Sequence, residues 1–351
     1  MSGEDKHSII RLKPKVSPDK ILAGFPWVYD NELVVDRRTK QLTSGKIVEL
    51  QDNDRNFLAT AVVNPKSKIF ARVITKTANK IGGSELVFKR ISAAKALRAG
   101  IFTDPYYRLI NSEADQMPGT IIDRFGGYFV IQPNSVWAEN NLDNITDALV
   151  ELFNPEGIIK NANSRARTLE GLDDCSLLIH GSVPTTPLQV PMNGAIYMAD
   201  LNYGQKTGLF YDQRLNQAFL SSISKNKTVL DVFSHVGGFA LAALVGGAVE
   251  ATAVDASQAA LELAEQGAEV SGFKSALSII KDDGFNALKC LRNEGKKFDI
   301  VICDPPAFAP SRQALSSGLR AYERLARVSA GLVEEGGILV LCSCSHTASL
   351  S

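Results

Sequence analysis

The stretch VLDVFSHVGGFALAALVGGA, Val229–Ala248, decides the fold. It opens as an apolar strand, TVLDVFS, passes through His235-Val236-Gly237-Gly238, and enters a helical run. Small residues in such a turn let backbone approach a ligand closely. A glycine-rich strand-to-helix turn is weak evidence alone, and this one is not the GxGxxG dinucleotide fingerprint. Its neighbours add weight. EATAVDA (250–256), ALSIIKD (276–282), FDIVICD (298–304) and GGILVLCSCS (336–345) are further apolar strands. The helical stretches SQAALELAEQGAEVSG (257–272) and GLRAYERLARVSAGLVEEG (318–336) lie between them. Continuous apolar strands alternating with helices predict a parallel sheet covered on both faces, with ligands gathering at the carboxyl ends of its strands.

Those ends carry acids. Asp255 closes the second strand, 24 residues after Asp231, a spacing at which a carboxylate commonly accepts ribose hydroxyls. Asp282 and Asp283 follow the third strand, where a carboxylate can accept from an adenine amino group, and Asp283 is the favoured acceptor. Each acid alone could be a helix cap. Three at successive strand ends, without a phosphate cradle, suit S-adenosylmethionine better than a pyrophosphate-bearing dinucleotide. The expected cofactor residues are Asp231, Phe233, Ser234, Gly237, Gly238, Asp255, Ala256, Asp282, Asp283, Gly284 and Asp304.

The fourth strand ends in Cys303-Asp304-Pro305-Pro306-Ala307-Phe308, a turn stiffened by prolines. DPPAF also resembles the (D/N)PP(Y/F) turn of exocyclic-amine methyltransferases acting on adenine or guanine. The fifth ends in Leu341-Cys342-Ser343-Cys344-Ser345-His346, where two cysteines at i and i+2 share one face of a strand. A thiolate there is a candidate nucleophile, and a buried structural thiol is the alternative.

Further out, the first 78 residues read as short strands: IIRLKPK (9–15), GKIVELQD (45–52), FLATAVVN (57–64) and KIFARVITK (68–76). Their spacing suggests a small barrel. Residues 1–80 hold fifteen Lys and Arg against nine Asp and Glu, a local +6 within a chain of net zero charge, which fits a phosphate backbone or a solvated surface equally. Residues 79–195 are a linker helix, ELVFKRISAAKALRAGIF, and a middle α+β domain whose helix NNLDNITDALVELF (140–153) has Asn144 or Thr146 as candidate caps. Residues 196–351 form the Rossmann-like domain.

Five cysteines in irregular spacing argue against a disulfide framework, and four histidines with no CxxC argue against zinc, so no metal is expected. No apolar run spans a membrane, and the charged N-terminus is not a secretory signal, so a cytoplasmic protein is expected.

Together these residues resemble the bacterial 23S ribosomal RNA cytosine-C5 methyltransferases that carry an N-terminal PUA domain. GFPWVYDNEL (24–33) with NPKSKIFARV (64–73) resembles the PUA portion, and YRLINSEADQMPGTIIDRFGGYFVIQ (107–132) the segment after it. LNYGQKTGLFYDQRLNQ (201–217) resembles the run leading into the class I methyltransferase core, and DPPAF and CSCS its fourth and sixth motifs. The resemblance implies a PUA-like barrel gripping 23S RNA, S-adenosylmethionine as methyl donor, Cys344 attacking C6 of a cytosine, and Asp304 at the pyrimidine N3 and amino edge. It implies that Gly208, Phe210, Asp212 and Arg214 line the cofactor or target channel, with Phe210 and Arg214 counted among the cofactor residues. Pro305, Pro306, Phe308 and Lys206 would meet the substrate. A homodimer is allowed but not required.

Two departures stand out. Ala307 sits where the family carries a lysine. The chain also ends seven residues after Cys344, where a class I sheet continues into a helix and two final strands. An exposed fifth-strand edge and lowered stability are expected for an isolated 1–351 chain. An inactive RNA-binding protein that keeps both folds is a further reading.

Overall fold

The computed structural model describes residues 8–77, 83–201 and 208–345. The chain divides into two compact units, 1–183 and 184–351.

In the first unit, β1 (Ser8–Arg11), β2 (Trp27–Tyr29), β3 (Ile47–Gln51), β4 (Phe57–Val63) and β5 (Ile69–Thr75) form a sheet in the order β1-β3-β4-β5-β2. Two short helices, α1 (Asp19–Leu22) and α2 (Arg37–Lys40), interrupt it. The four long runs expected as strands are strands. β2 was not among them, because three residues after Pro26 carry no alternation to read. Ile10, Leu12, Val28, Val48, Leu50 and Phe70 fill the core of this sheet.

The helix α3 (Ser84–Ala99) leads to a second sheet of β6 (Tyr106–Asn111), β7 (Thr120–Phe125), β8 (Tyr128–Pro133), β9 (Gly157–Lys160) and β10 (Leu177–Gly181), ordered β10-β9-β8-β7-β6. α4 (Val136–Asn140), α5 (Leu142–Phe153) and α6 (Arg165–Glu170) complete it. Val87, Ile91, Leu109, Ile131, Ile145 and Leu149 share one core with the buried indole of Trp137. Neither expected cap of α5 serves as one. The helix starts at Leu142, so Asn144 and Thr146 lie inside it, and the Thr146 hydroxyl donates back to the Leu142 carbonyl.

The second unit begins with the hairpin β11 (Leu188–Met192) and β12 (Ala195–Ala199). The boundary therefore falls near residue 183 rather than 195. The hairpin packs on helices of the second unit, with the Ile196 N–H donating to the Ser271 hydroxyl. α7 (Arg214–Ile223) precedes a parallel sheet of β13 (Thr228–Val232), β14 (Glu250–Asp255), β15 (Leu277–Lys281), β16 (Phe298–Cys303) and β17 (Val333–Leu341), ordered β15-β14-β13-β16-β17. α8 (Gly238–Val245), α9 (Gln258–Val270), α10 (Gly284–Asn293) and α11 (Leu315–Ala330) connect the strands. Leu230, Val232, Val254, Leu288, Val301 and Leu325 are buried together. Each such aliphatic side chain contributes about 1.5–3 kcal/mol.

The last helix is shorter than expected. α11 stops at Ala330, and Val333, Glu334 and Glu335 belong to β17. β17 is an edge strand, with Ile338 and Leu341 exposed. It ends at Leu341, so Cys342 and Cys344 follow the strand rather than sharing one of its faces. The Cys342 N–H still reaches the Cys303 carbonyl at 2.9 Å. No helix among the described residues is long and apolar enough to cross a membrane.

Candidate active site at the strand switch

Strand order reverses between β13 and β16, and their carboxyl ends therefore border a crevice. Asp231 on β13 and Asp304 after β16 stand on either side of that reversal.

Asp231 is fully buried. Its Oδ2 accepts the N–H groups of Phe239 and Ala240, at 3.1 and 2.9 Å, in the first turn of α8. Its Oδ1 has no hydrogen-bond partner. Burial pushes this carboxyl up to about 7, the Asp304 and Asp255 carboxylates adding to the rise and the two N–H groups opposing it.

The turn after β13 is strained. Phe233 and His235 hold φ of 64° and 51°, conformations that non-glycine residues rarely adopt and that cluster at functional sites. The strain is held by bonds at both ends. The Ser234 N–H meets the Val254 carbonyl at 3.0 Å, and the His235 N–H meets Asp255 Oδ2 at 2.8 Å. Gly237, at φ 75°, turns the chain into α8. A Cβ on Gly238 would lie 2.7 Å from Gln217 Nε2, so that position closes on α7. The Ser234 hydroxyl is buried and unpartnered, like Asp231 Oδ1. Two orphaned buried oxygens beside a glycine turn fit a ligand that brings its own donors, as the ammonium and hydroxyl groups of S-adenosylmethionine do.

Asp255 also accepts the Ser257 N–H on Oδ1 at 2.8 Å, and Ala256 between them is exposed. Asp283 is the N-cap of α10, its Oδ1 accepting from Phe285 and Asn286, the capping role open to each of these acids. Asp282 instead accepts the Asp283 N–H. Gly284 sits under the Phe233 ring, where a Cβ would approach ring carbons to 2.5 Å.

The N–H of Asp304 bonds the Val232 carbonyl at 3.2 Å, and its Oδ2 accepts from Gln213 Nε2 at 3.0 Å. Asn216 donates to Gln213 Oε1 at 2.6 Å, which turns the amide nitrogen toward Asp304. Phe210 meets His235 edge-to-face with ring centroids 5.1 Å apart, and Arg214 is half-buried at the start of α7. Pro305 is buried, Pro306 exposed, and Phe308 half-buried against Phe285 and Tyr322. Lys206 and His346 lie outside the described residues.

The two cysteines differ in setting. Cys342 is half-buried; burial pushes its thiol up to about 12, the Asp304 and Asp231 carboxylates and Cys303 adding to the rise and Gln213 opposing it. Cys344 is exposed. Its turn is joined to the DPPAF turn by the Ala309 N–H, which donates to the Ser345 hydroxyl at 3.1 Å. Gln213, His235, Tyr322 and Ser345 were not among the residues expected at the site. The sequence hints were positional: His235 lies in the glycine turn, Gln213 in the LNYGQKTGLFYDQRLNQ run and Ser345 in CSCS. Among the described residues no group of three or more His, Cys, Asp or Glu could hold a metal ion.

A PUA-like domain model matches residues 10–76, and a model for S-adenosylmethionine-dependent methyltransferases matches 172–349. Ribosomal RNA large subunit methyltransferase I of Klebsiella pneumoniae is 34% identical over 329 residues, covering 93% of this chain and 82% of that protein. Its counterpart in Vibrio vulnificus is 35% identical over 331 residues, covering 93% and 83%. Among solved structures, a SAM-dependent methyltransferase from Streptococcus mutans shares 22% identity at a TM-score of 0.82, with 98% of this chain and 87% of that one covered. A methyltransferase complexed with SAH aligns at a TM-score of 0.83, again with 22% identity, 98% and 87% coverage. These two likenesses speak for the fold.

Proposed function

The chain belongs to the S-adenosylmethionine-dependent methyltransferases that carry a PUA-like domain, and from that premise we propose that it methylates C5 of a cytosine in 23S ribosomal RNA. One observation carries the C5 reading. The turn bearing the exposed Cys344 is hydrogen-bonded to the turn bearing Asp304, an arrangement that suits a nucleophile and an acid working on one base. The relatives' names supply the substrate class.

In this reading S-adenosylmethionine supplies an electrophilic methyl group on a sulfonium. Asp231, Ser234 and Asp255 would hold the cofactor, Phe233, Gly237, Gly238, Phe210 and Arg214 would shape its pocket, and Asp282, Asp283 and Gly284 would meet its far end. Pro305, Pro306 and Phe308 bracket the target base. The Cys344 thiolate would add to C6, opening the C5–C6 double bond, so that C5 could take the sulfonium methyl group as the methyl–sulfur bond breaks and S-adenosylhomocysteine leaves. Asp304 would accept from the amino group and, in its acid form, donate a proton to N3 as negative charge develops there. A base then removes the C5 proton, the C5–C6 double bond re-forms, and the Cys344 sulfur leaves. Cys342, whose thiol stays protonated, is the weaker nucleophile. The base must leave its stack to enter the crevice. The first unit supplies sequence-independent phosphate contacts. A ribosomal RNA substrate would put its work in the cytoplasm, and sedimentation equilibrium would decide whether it works as a homodimer.

The test is incubation with tritiated S-adenosylmethionine and unmodified 23S RNA, followed by nucleoside analysis. Labelled 5-methylcytidine is expected, and Cys344→Ala should lower its formation by at least about 10³-fold. A labelled methylpurine, or full turnover by Cys344→Ala, would overturn the reading.

A further inference from the structure

We propose that Tyr322 is a positioning residue that presents the Cys344 thiol, a role that rests on the reading of Cys344 as nucleophile. Tyr322 lies on α11, and its hydroxyl is tied to both neighbours of Cys344. The Ser343 hydroxyl donates to Tyr322 Oη at 3.1 Å. Tyr322 Oη and Ser345 Oγ are 2.8 Å apart. A phenol has one proton to give. With Ser343 donating to it, that proton goes to Ser345. The Ser345 N–H returns to the Ser343 hydroxyl at 3.2 Å, which closes a ring of three hydrogen bonds around the backbone of Cys344.

The ring is anchored outside itself. Ser345 is buried and accepts the Ala309 N–H, and the Phe308 N–H approaches Tyr322 Oη at 3.5 Å. The Tyr322 ring packs on Phe308 with centroids 4.9 Å apart, and Phe308 on Phe285 at 5.9 Å. The flanking serines are therefore pinned to the DPPAF turn while the cysteine between them remains exposed. Packing accounts for an aromatic ring at this position. It does not account for a hydroxyl that meets both serines, and that hydroxyl is what sets the thiol relative to Asp304.

Tyr322→Phe keeps the ring and removes the tether. Expected are a kcat lowered about 10–100-fold, KM values for RNA and S-adenosylmethionine within about threefold, and an unchanged melting temperature. Alkylation of Cys344 by iodoacetamide in the resting enzyme, read by mass spectrometry of its peptide, should change several-fold. Ser345→Ala, which keeps the phenol and cuts the link to Ala309, should move both readings the same way. Unchanged kcat and alkylation in Tyr322→Phe would overturn the proposal, as would a kcat that falls only in step with the melting temperature while alkylation stays at the wild-type rate. If Cys344→Ala retains turnover, the nucleophile reading falls, and the alkylation comparison still decides whether Tyr322 sets this thiol.

Discussion

Asp231 concentrates the electrostatics of the site in one carboxyl group. It is buried, bonded on one oxygen and bare on the other, with its pKa raised to about 7. The unfolded chain releases that proton near the ordinary value of 3.8. The folded state therefore binds more protons between these limits, and the stability this group contributes falls as pH rises through that window and levels off above it. Asp231→Asn keeps an oxygen for the Phe239 and Ala240 N–H groups and cannot ionise. Melting temperatures from pH 4 to 8 should show wild type losing ground to the variant up to about pH 7. Parallel curves would show that Asp231 titrates as an ordinary carboxyl. Asp231 was visible in the sequence because acids at strand ends follow from the strand pattern. Gln213 and Tyr322 were not, because their roles come from partners 91 and 23 residues away, at Asp304 and Ser345.

At the scale of elements, the junction of β13 and α8 is braced against the start of α10 by one aromatic contact, the Phe233 ring over Gly284. Phe233 already holds a left-handed backbone, so it has little freedom to withdraw. Gly284→Ala should cost about 1–3 kcal/mol of stability and weaken S-adenosylmethionine binding, as measured by thermal melting and by titration calorimetry. An unchanged melt with unchanged affinity would mean that the ring slides aside freely. The inner strands β13, β14 and β16 were legible because burial on both faces leaves near-continuous apolar runs, and the edge strands β15 and β17 were legible from apolar composition alone. Their ends were less so. The expected helix over 318–336 ran into β17 because VEE continues a helical pattern as readily as it opens a strand. Cys342 and Cys344 were read on one face because apolar composition does not mark where pairing stops.

At the scale of the molecule, the chain has a first unit that contains a PUA-like domain over residues 10–76 and a second unit that carries the methyltransferase sheet. The charge asymmetry of the first 80 residues hinted at that division, although the boundary near 183 depended on side-chain packing of a hairpin that no composition shift announces. The chain's two indoles add a spectroscopic consequence. Trp27 and Trp137 both lie in the first unit, the former donating to Glu113 and the latter in the core. Emission excited at 295 nm therefore reports on one half of the polypeptide, whereas the far-ultraviolet signal at 222 nm carries, besides the helices of that half, the helices α7–α11 of the other. Heating the protein while recording both signals is expected to give two separated midpoints, with S-adenosylmethionine raising only the ellipticity midpoint. A single shared midpoint that moves as one with cofactor would show that the halves melt as a single cooperative body.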